Sequence, residues 1–168
     1  MRAIEILSQH VGIQSSYVDS WGKSVDITDE IRSALLSAMG FAVENDAQVE
    51  TTLMSLRDNQ WSSLMDSVSI IKEESDETHV LVRVRTCDID AQLQWQIKQE
   101  SGKKLQGTSQ LSLDTQSDQY SLHGESMVEV TATLPKLGWG YHQLTLSHAG
   151  KESTSQLIVA PEACYNPD

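Results

Sequence analysis

Acidic side chains are the most plentiful reactive groups of this chain, 24 Asp and Glu against 12 Lys and Arg, for a formal charge of −12. Two carboxylates can run acid–base or nucleophilic chemistry when they face each other across a substrate, one protonated and one ionised. Asp26, Asp29, Glu30, Glu44, Asp46 and the run from Glu73 to Glu77 fall instead at helix starts and in polar turns. A carboxylate there meets water or the positive end of a helix dipole, so no pair is expected to converge on a pocket. The five histidines, His10, His79, His123, His142 and His148, share no i,i+3 or i,i+4 spacing with another ligand, and no Cys-x-x-Cys accompanies them. No metal site is expected on that spacing. His142 has the parity of Leu144 and Leu146, which reads as a packed, hydrogen-bonded ring rather than a catalytic base. Neither a Gly-rich phosphate loop nor a Gly-x-Ser-x-Gly elbow occurs, and no cofactor is expected.

The elements that must position these residues change period once. Ile4, Leu7 and Val11 share a helical face that Gly12 terminates. Thr28 can cap a second helix with Asp29 and Glu30 in its first turn, a stripe of Ile31, Ala34, Leu35 and Ala38, and Gly40 as its stop. A third helix is expected from about Asp46 to Asn59, burying Val49, Leu53 and Leu56. From Val68 onward the period is two. Val80, Val82 and Val84 alternate with Leu81, Arg83 and Arg85; Leu93, Trp95 and Ile97 alternate with Gln and Lys; Leu111 alternates with Leu113; Val128, Val130, Ala132 and Leu134 continue the pattern.

Turn signals at Glu74–Glu77, Cys87–Asp90, Ser101–Lys103 and His123–Glu125 separate these runs. Seven or eight short strands at this spacing predict an antiparallel, immunoglobulin-like β-sandwich. With no helical crossover between strands, a parallel sheet is not expected. Gln106 to Gln119 reads as one weak edge strand plus loop. The fold class is therefore α+β: a helical subdomain over 1–65, a β-sandwich over 66–160, and a linker over 161–168, where Pro161 ends ladder pairing.

At 168 residues the chain can bury a real core as one domain or two small ones. Its negative charge disfavours nucleic acid and anionic membrane surfaces as partners. The first ten residues carry Glu5 and Gln9, unlike the uninterrupted apolar stretch of a signal peptide. Cys87 and Cys164, the two cysteines, are expected to be reduced thiols of a cytosolic protein.

The most specific pattern lies at the end. Leu134-Pro-Lys-Leu-Gly-Trp-Gly-Tyr-His142, the tetrad Ile158-Val-Ala-Pro161 and Cys164-Tyr165 resemble the junction before the catalytic barrel of bacterial 4-α-glucanotransferases (amylomaltases, glycoside hydrolase family 77). Val11-Gly-Ile13, the stretch from Tyr17 to Lys23, the Thr28–Gly40 helix, and Trp95 with Glu100-Ser-Gly102 are similar as well. The turn from Lys136 to Gly140 is longer than the family's usual one. The resemblance implies a noncatalytic N-terminal region whose partner is its own C-terminal (β/α)₈ barrel. That barrel needs roughly 250 residues, so the natural protein is expected to continue past Asp168. The resemblance also implies a retaining parent enzyme that moves α-1,4-glucan segments onto glucose or other glucans, its catalytic carboxylates on barrel strands absent here. This chain alone is expected to be inactive. The other reading of the residues is a stand-alone immunoglobulin-like module that binds a protein partner.

In the light of that resemblance, the tryptophans are candidate platforms for α-1,4-glucan, because an indole covers the apolar face of a pyranose. Trp95 has core parity with Leu93 and Ile97, and Trp61 follows a helix that must pack. Trp21 and Trp139 remain as candidate substrate-binding residues.

Overall fold

The computed structural model describes residues 2–72, 77–161 and 163. Glu74 to Asp76 of the first turn signal, and Cys164, Tyr165 and most of the expected linker, lie outside the described residues. The chain forms two compact units, Met1–Asn59 and Gln60–Asp168.

The first unit opens with α1 (Ala3–His10). A short antiparallel hairpin follows, β1 (Ser16–Val18) and β2 (Ser24–Asp26), joined across Tyr17 and Val25. The helical region thus also carries a hairpin, whose strands of three residues are too short to print a period of two. Asp19 Oδ1 closes their turn by accepting from the N–H groups of Trp21 and Lys23, both at 2.9 Å. Helix α2 (Asp29–Ala38) begins at Thr28, whose hydroxyl accepts from the Ile31 N–H. Helix α3 (Asp46–Ser62) starts in this unit, and the second unit takes over from Gln60.

Leu7, Leu36 and Val49 form the first core, with Ile4, Val11, Leu53 and Leu56 packed against it. The face of α2 differs from the expected stripe. Leu36 and Arg32 are buried, whereas Ile31, Ala34, Leu35 and Ala38 are exposed. Two of those four are alanines, which remove little apolar area from water. Arg32 lies along the protein with its Nη1 on Asp29 at 2.8 Å, so its stem packs while its charge is satisfied.

The second unit holds two sheets. One orders β3 (Val68–Lys72), β10 (Lys151–Ala160), β9 (Gly140–His148), β5 (Leu93–Lys98) and β6 (Lys104–Ser109). The other orders β4 (Glu77–Arg85), β8 (Glu125–Pro135) and β7 (Gln116–Leu122). Val80, Val82, Val84, Val130 and Leu134 of the second meet Leu93, Ile97, Leu144, Leu146 and Leu157 of the first in one core. The alternation seen in the sequence therefore marks the inner faces. All pairings are antiparallel except β3 with β10, which run parallel with Ile70 opposite Ile158. That edge makes the five-stranded sheet mixed rather than parallel: the first and last strands of the unit pair, and the intervening strands serve as the crossover. Leu111 and Leu113 form no strand either. Leu111 is buried, and Leu113 starts a 3₁₀ turn capped by the Ser112 hydroxyl. Gln106 to Gln119 thus contributes to two edge strands rather than one.

Trp61, Leu64 and Met65, on the helical side of the expected boundary at residue 65, sit in the cores of this second unit.

Candidate functional site

An acid pair is the first thing to look for, and the more enclosed carboxylates are engaged in structural contacts. Asp66 and Glu129 both hold Arg83. Asp29 holds Arg2 and Arg32. Glu100 Oε2 accepts from the Tyr141 N–H at 3.1 Å. Asp88 Oδ2 accepts from Arg85 Nε at 2.6 Å, and this bond holds the Asp88 carboxyl below its ordinary range while raising Arg85. Each of these five carboxylates is thereby committed to a cation or an N–H donor in a structural contact, and no two of them face each other across an open pocket. No cluster of three His, Cys, Asp or Glu able to hold a metal occurs among the described residues.

Arg83, which the sequence showed only as alternating with Val82 and Val84, is the functional-looking residue. Its side chain is 3% exposed. Nε donates to Glu129 at 2.9 Å, Nη1 to the Gln60 carbonyl at 3.1 Å and Nη2 to Asp66 at 2.8 Å. The guanidinium also lies 6.0 Å from the Trp61 ring centroid, within cation–π range. Each of the three guanidinium nitrogens thus donates to a protein acceptor, so the group anchors structure rather than a ligand.

The four tryptophans fall into two covered and two exposed residues. Trp61 is 3% exposed and stacks on Tyr120 with centroids 5.6 Å apart. Trp95 packs against the sandwich core, its ring occupying the space over Gly107. Trp21 is 89% exposed on the β1–β2 turn, and Trp139 is 66% exposed in the loop entering β9. These last two belong to different units.

His142 is a packed residue. Its Nε2 faces the Gly138 carbonyl at 2.8 Å, and its Nδ1 accepts from the Glu100 N–H at 3.3 Å. A carbonyl only accepts, so the ring is the Nε2–H tautomer.

On the solvent face of the five-stranded sheet lies a shallow trough of about 470 Å³ among Gln94, Gln96, Gln106, Thr108, Thr145 and Ser147. Amides and hydroxyls with a single carboxylate, Glu152, line it, and this set supplies hydrogen bonds but no acid–base pair. Farther along the same face the character changes. Ile70, Ile158 and Tyr141 lie side by side across β3, β10 and β9.

Comparison with known proteins agrees with this picture. The family described as the MalQ N-terminal beta sandwich domain matches residues 64–161. The 4-alpha-glucanotransferases of Mycobacterium tuberculosis and Mycobacterium bovis are each 22% identical over 163 residues, covering 96% of this chain and 22% of their own length. The crystal structure of amylomaltase from Corynebacterium glutamicum superposes with a TM-score of 0.73 at 20% identity, over 95% of this chain and 22% of that one. The chain thus spans about a fifth of the length of the relatives it matches.

Proposed function

Because this chain belongs to the family of MalQ N-terminal beta sandwich domains, we propose that it is the noncatalytic N-terminal region of a 4-α-glucanotransferase. The whole enzyme transfers α-1,4-glucan segments to glucose or maltodextrin acceptors with retention, through a glycosyl intermediate on a (β/α)₈ barrel that follows this region. The region packs on that barrel and shapes the acceptor side of its groove. The observation that carries this is the match of nearly the whole chain to one fifth of enzymes that bear that name. The engagement of Asp66, Glu129 and Glu100 by cations and N–H donors supports placing the chemistry elsewhere in the polypeptide. The strand order β10-β9-β5-β6 opposite β4-β8-β7 supports an immunoglobulin-like reading of the sandwich. No helix among the described residues is long and apolar enough to cross a membrane, and maltodextrin metabolism in the cytoplasm is the setting this reading implies.

The test is turnover of maltotriose. The product of the whole gene should release glucose and longer maltodextrins, and the 168-residue chain alone should release neither. Turnover by the chain above a heat-killed control would overturn the reading.

Exposure of Trp21 at the hairpin turn favours a second, smaller role in glucan contact, since an indole in water is an available stacking surface. Maltoheptaose titrated against wild type and Trp21→Ala reads this through tryptophan fluorescence. A response that survives the substitution removes Trp21 from it.

A further inference from the structure

The solvent face of the five-stranded sheet is polar along most of its length. One row across the strands reads Thr154, Thr145, Gln96 and Gln106; the next reads Glu152, Ser147, Gln94 and Thr108. At the opposite end the same face carries Ile70, Ile158 and Tyr141 as direct neighbours, with Val68 beside Ile70 on β3. Ile70 is 72% exposed and Tyr141 62%. Trp139 precedes this row by one residue of linking chain and is exposed as well. Adjacent strands lie about 4.8 Å apart, so the three-strand row is one contiguous apolar strip rather than scattered side chains. An exposed strip of aromatic and β-branched groups rimmed by Gln, Thr and Lys has the composition of a recognition centre.

The strip is mounted rigidly. The Tyr141 N–H is held by Glu100 Oε2, and the Gly138 carbonyl just ahead of Trp139 is held by His142. The backbones presenting both aromatic rings are therefore ordered beforehand, which lowers the entropy lost on docking.

We propose that this strip is the docking surface for the remainder of the polypeptide, the segment that follows residue 161 in the longer enzyme. This rests on the functional reading above. Two observations point to that occupant. The relatives are about five times longer than the stretch they share with this chain. In addition, β10 runs through the strip: Ile158 lies in it, and Ala160 pairs with Lys72 in the next row. A following segment therefore leaves the sandwich beside the strip, and tethering gives it a high effective concentration there. A small cluster of Trp, Tyr and Ile then suffices as the anchor of the interface.

Hydroxyl-radical footprinting reads side-chain cover directly and requires no variant. The whole gene product and the 168-residue chain are labelled in parallel, with Leu81 on the opposite sheet as the reference. Modification of Trp139 and Tyr141 should fall about fivefold in the whole product, as cover of an interface centre requires, while Leu81 keeps its rate. Equal rates in the two proteins would overturn the docking assignment. Slow labelling already in the chain alone, or protection that appears only with maltoheptaose or only at high concentration of the chain, would overturn it too, pointing to the chain itself, glucan or a second copy. If the whole product transfers glucan yet shows no protection, the docking surface fails and the enzymatic reading stands. If protection occurs without transfer, the docking surface stands and the enzymatic reading fails.

Discussion

The imidazole of His142 donates from Nε2 to the carbonyl of Gly138 at 2.8 Å and accepts at Nδ1 from the N–H of Glu100. Two loops, the one leaving β8 and the one leaving β5, are thereby tied to the base of β9. Gly140 sits between these partners with φ +135°, where any Cβ would collide with Glu100 Oε2. The Gly-Tyr-His motif that signals the family is, in this structure, a junction between loops.

Replacing His142 by Leu keeps the site filled but strands the Gly138 carbonyl and the Glu100 N–H. The expected loss is about 1–2 kcal/mol, the net worth of two part-buried hydrogen bonds whose backbone partners can turn to water. Urea unfolding followed by amide exchange of β9 checks it. No change in those amides would mean that the two hydrogen bonds carry nothing.

Gly107 lies opposite Trp95 on the neighbouring strand, and a Cβ there would collide with the indole six-membered ring. Gly107→Ala should therefore destabilise the sandwich by about 1–3 kcal/mol through overpacking. In a Trp95→Val background the same substitution should cost much less, because the obstructing ring is gone. A double-mutant cycle measures the coupling, and additivity would show that the indole swings aside freely.

These two sites also mark where the sequence was legible. Alternation found the inner faces because Val80, Val82, Leu144 and Leu146 are each buried on one side of a strand. It missed Arg83, whose outer face is also covered, by Trp61 and the chain around Leu64 and Asp66. A cation on a strand covered on both faces prints the same pattern as one facing water. On α2 the stripe of Ile31 and Leu35 and the face of Arg32 and Leu36 lie one residue, about 100°, apart. Only packing against Leu7 and Val49 decides between them. The parallel pairing of β3 with β10 joins the ends of the unit, a relation that no local window contains. The apolar strip was invisible for the same reason: Ile70, Tyr141 and Ile158 become neighbours only through the register of three strands.

Asp88 offers a pH test. The hydrogen bond from Arg85 is the main cause of its lowered pKa, against an ordinary value of 3.8. A carboxyl whose folded-state pKa is depressed contributes stability above its unfolded value and loses it as pH falls through the folded one. The contribution is therefore complete at neutral pH and fades only in acid below 3.8. Both groups reach solvent, so the thermal stability of the protein should move little. Carbon NMR of the Asp88 carboxyl should give a midpoint that rises in Arg85→Gln. An unchanged midpoint would remove Arg85 as the cause.

Arg83 carries the largest expected effect. Its partner Glu129 is mostly covered, while Asp66 reaches solvent. Truncation by Arg83→Ala leaves the Glu129 carboxylate with only the Ser117 hydroxyl, leaves the Gln60 carbonyl with only the Ser63 N–H, and takes away the cation beside Trp61. Breaking a buried pair from one side costs about 3–5 kcal/mol, and the solvent-exposed position of Asp66 places this case toward the lower end. Asp66→Asn, by contrast, removes an exposed partner and should cost less than about 1 kcal/mol. The double variant Arg83→Met with Glu129→Leu removes both charges together and should recover part of the loss, because no buried charge then remains unpaired. Amide exchange in β4 and β8 reports the stability of this unit alone. If Arg83→Ala and Asp66→Asn lowered it equally, the burial of the guanidinium would have no energetic consequence, and the anchor role assigned to Arg83 would fall.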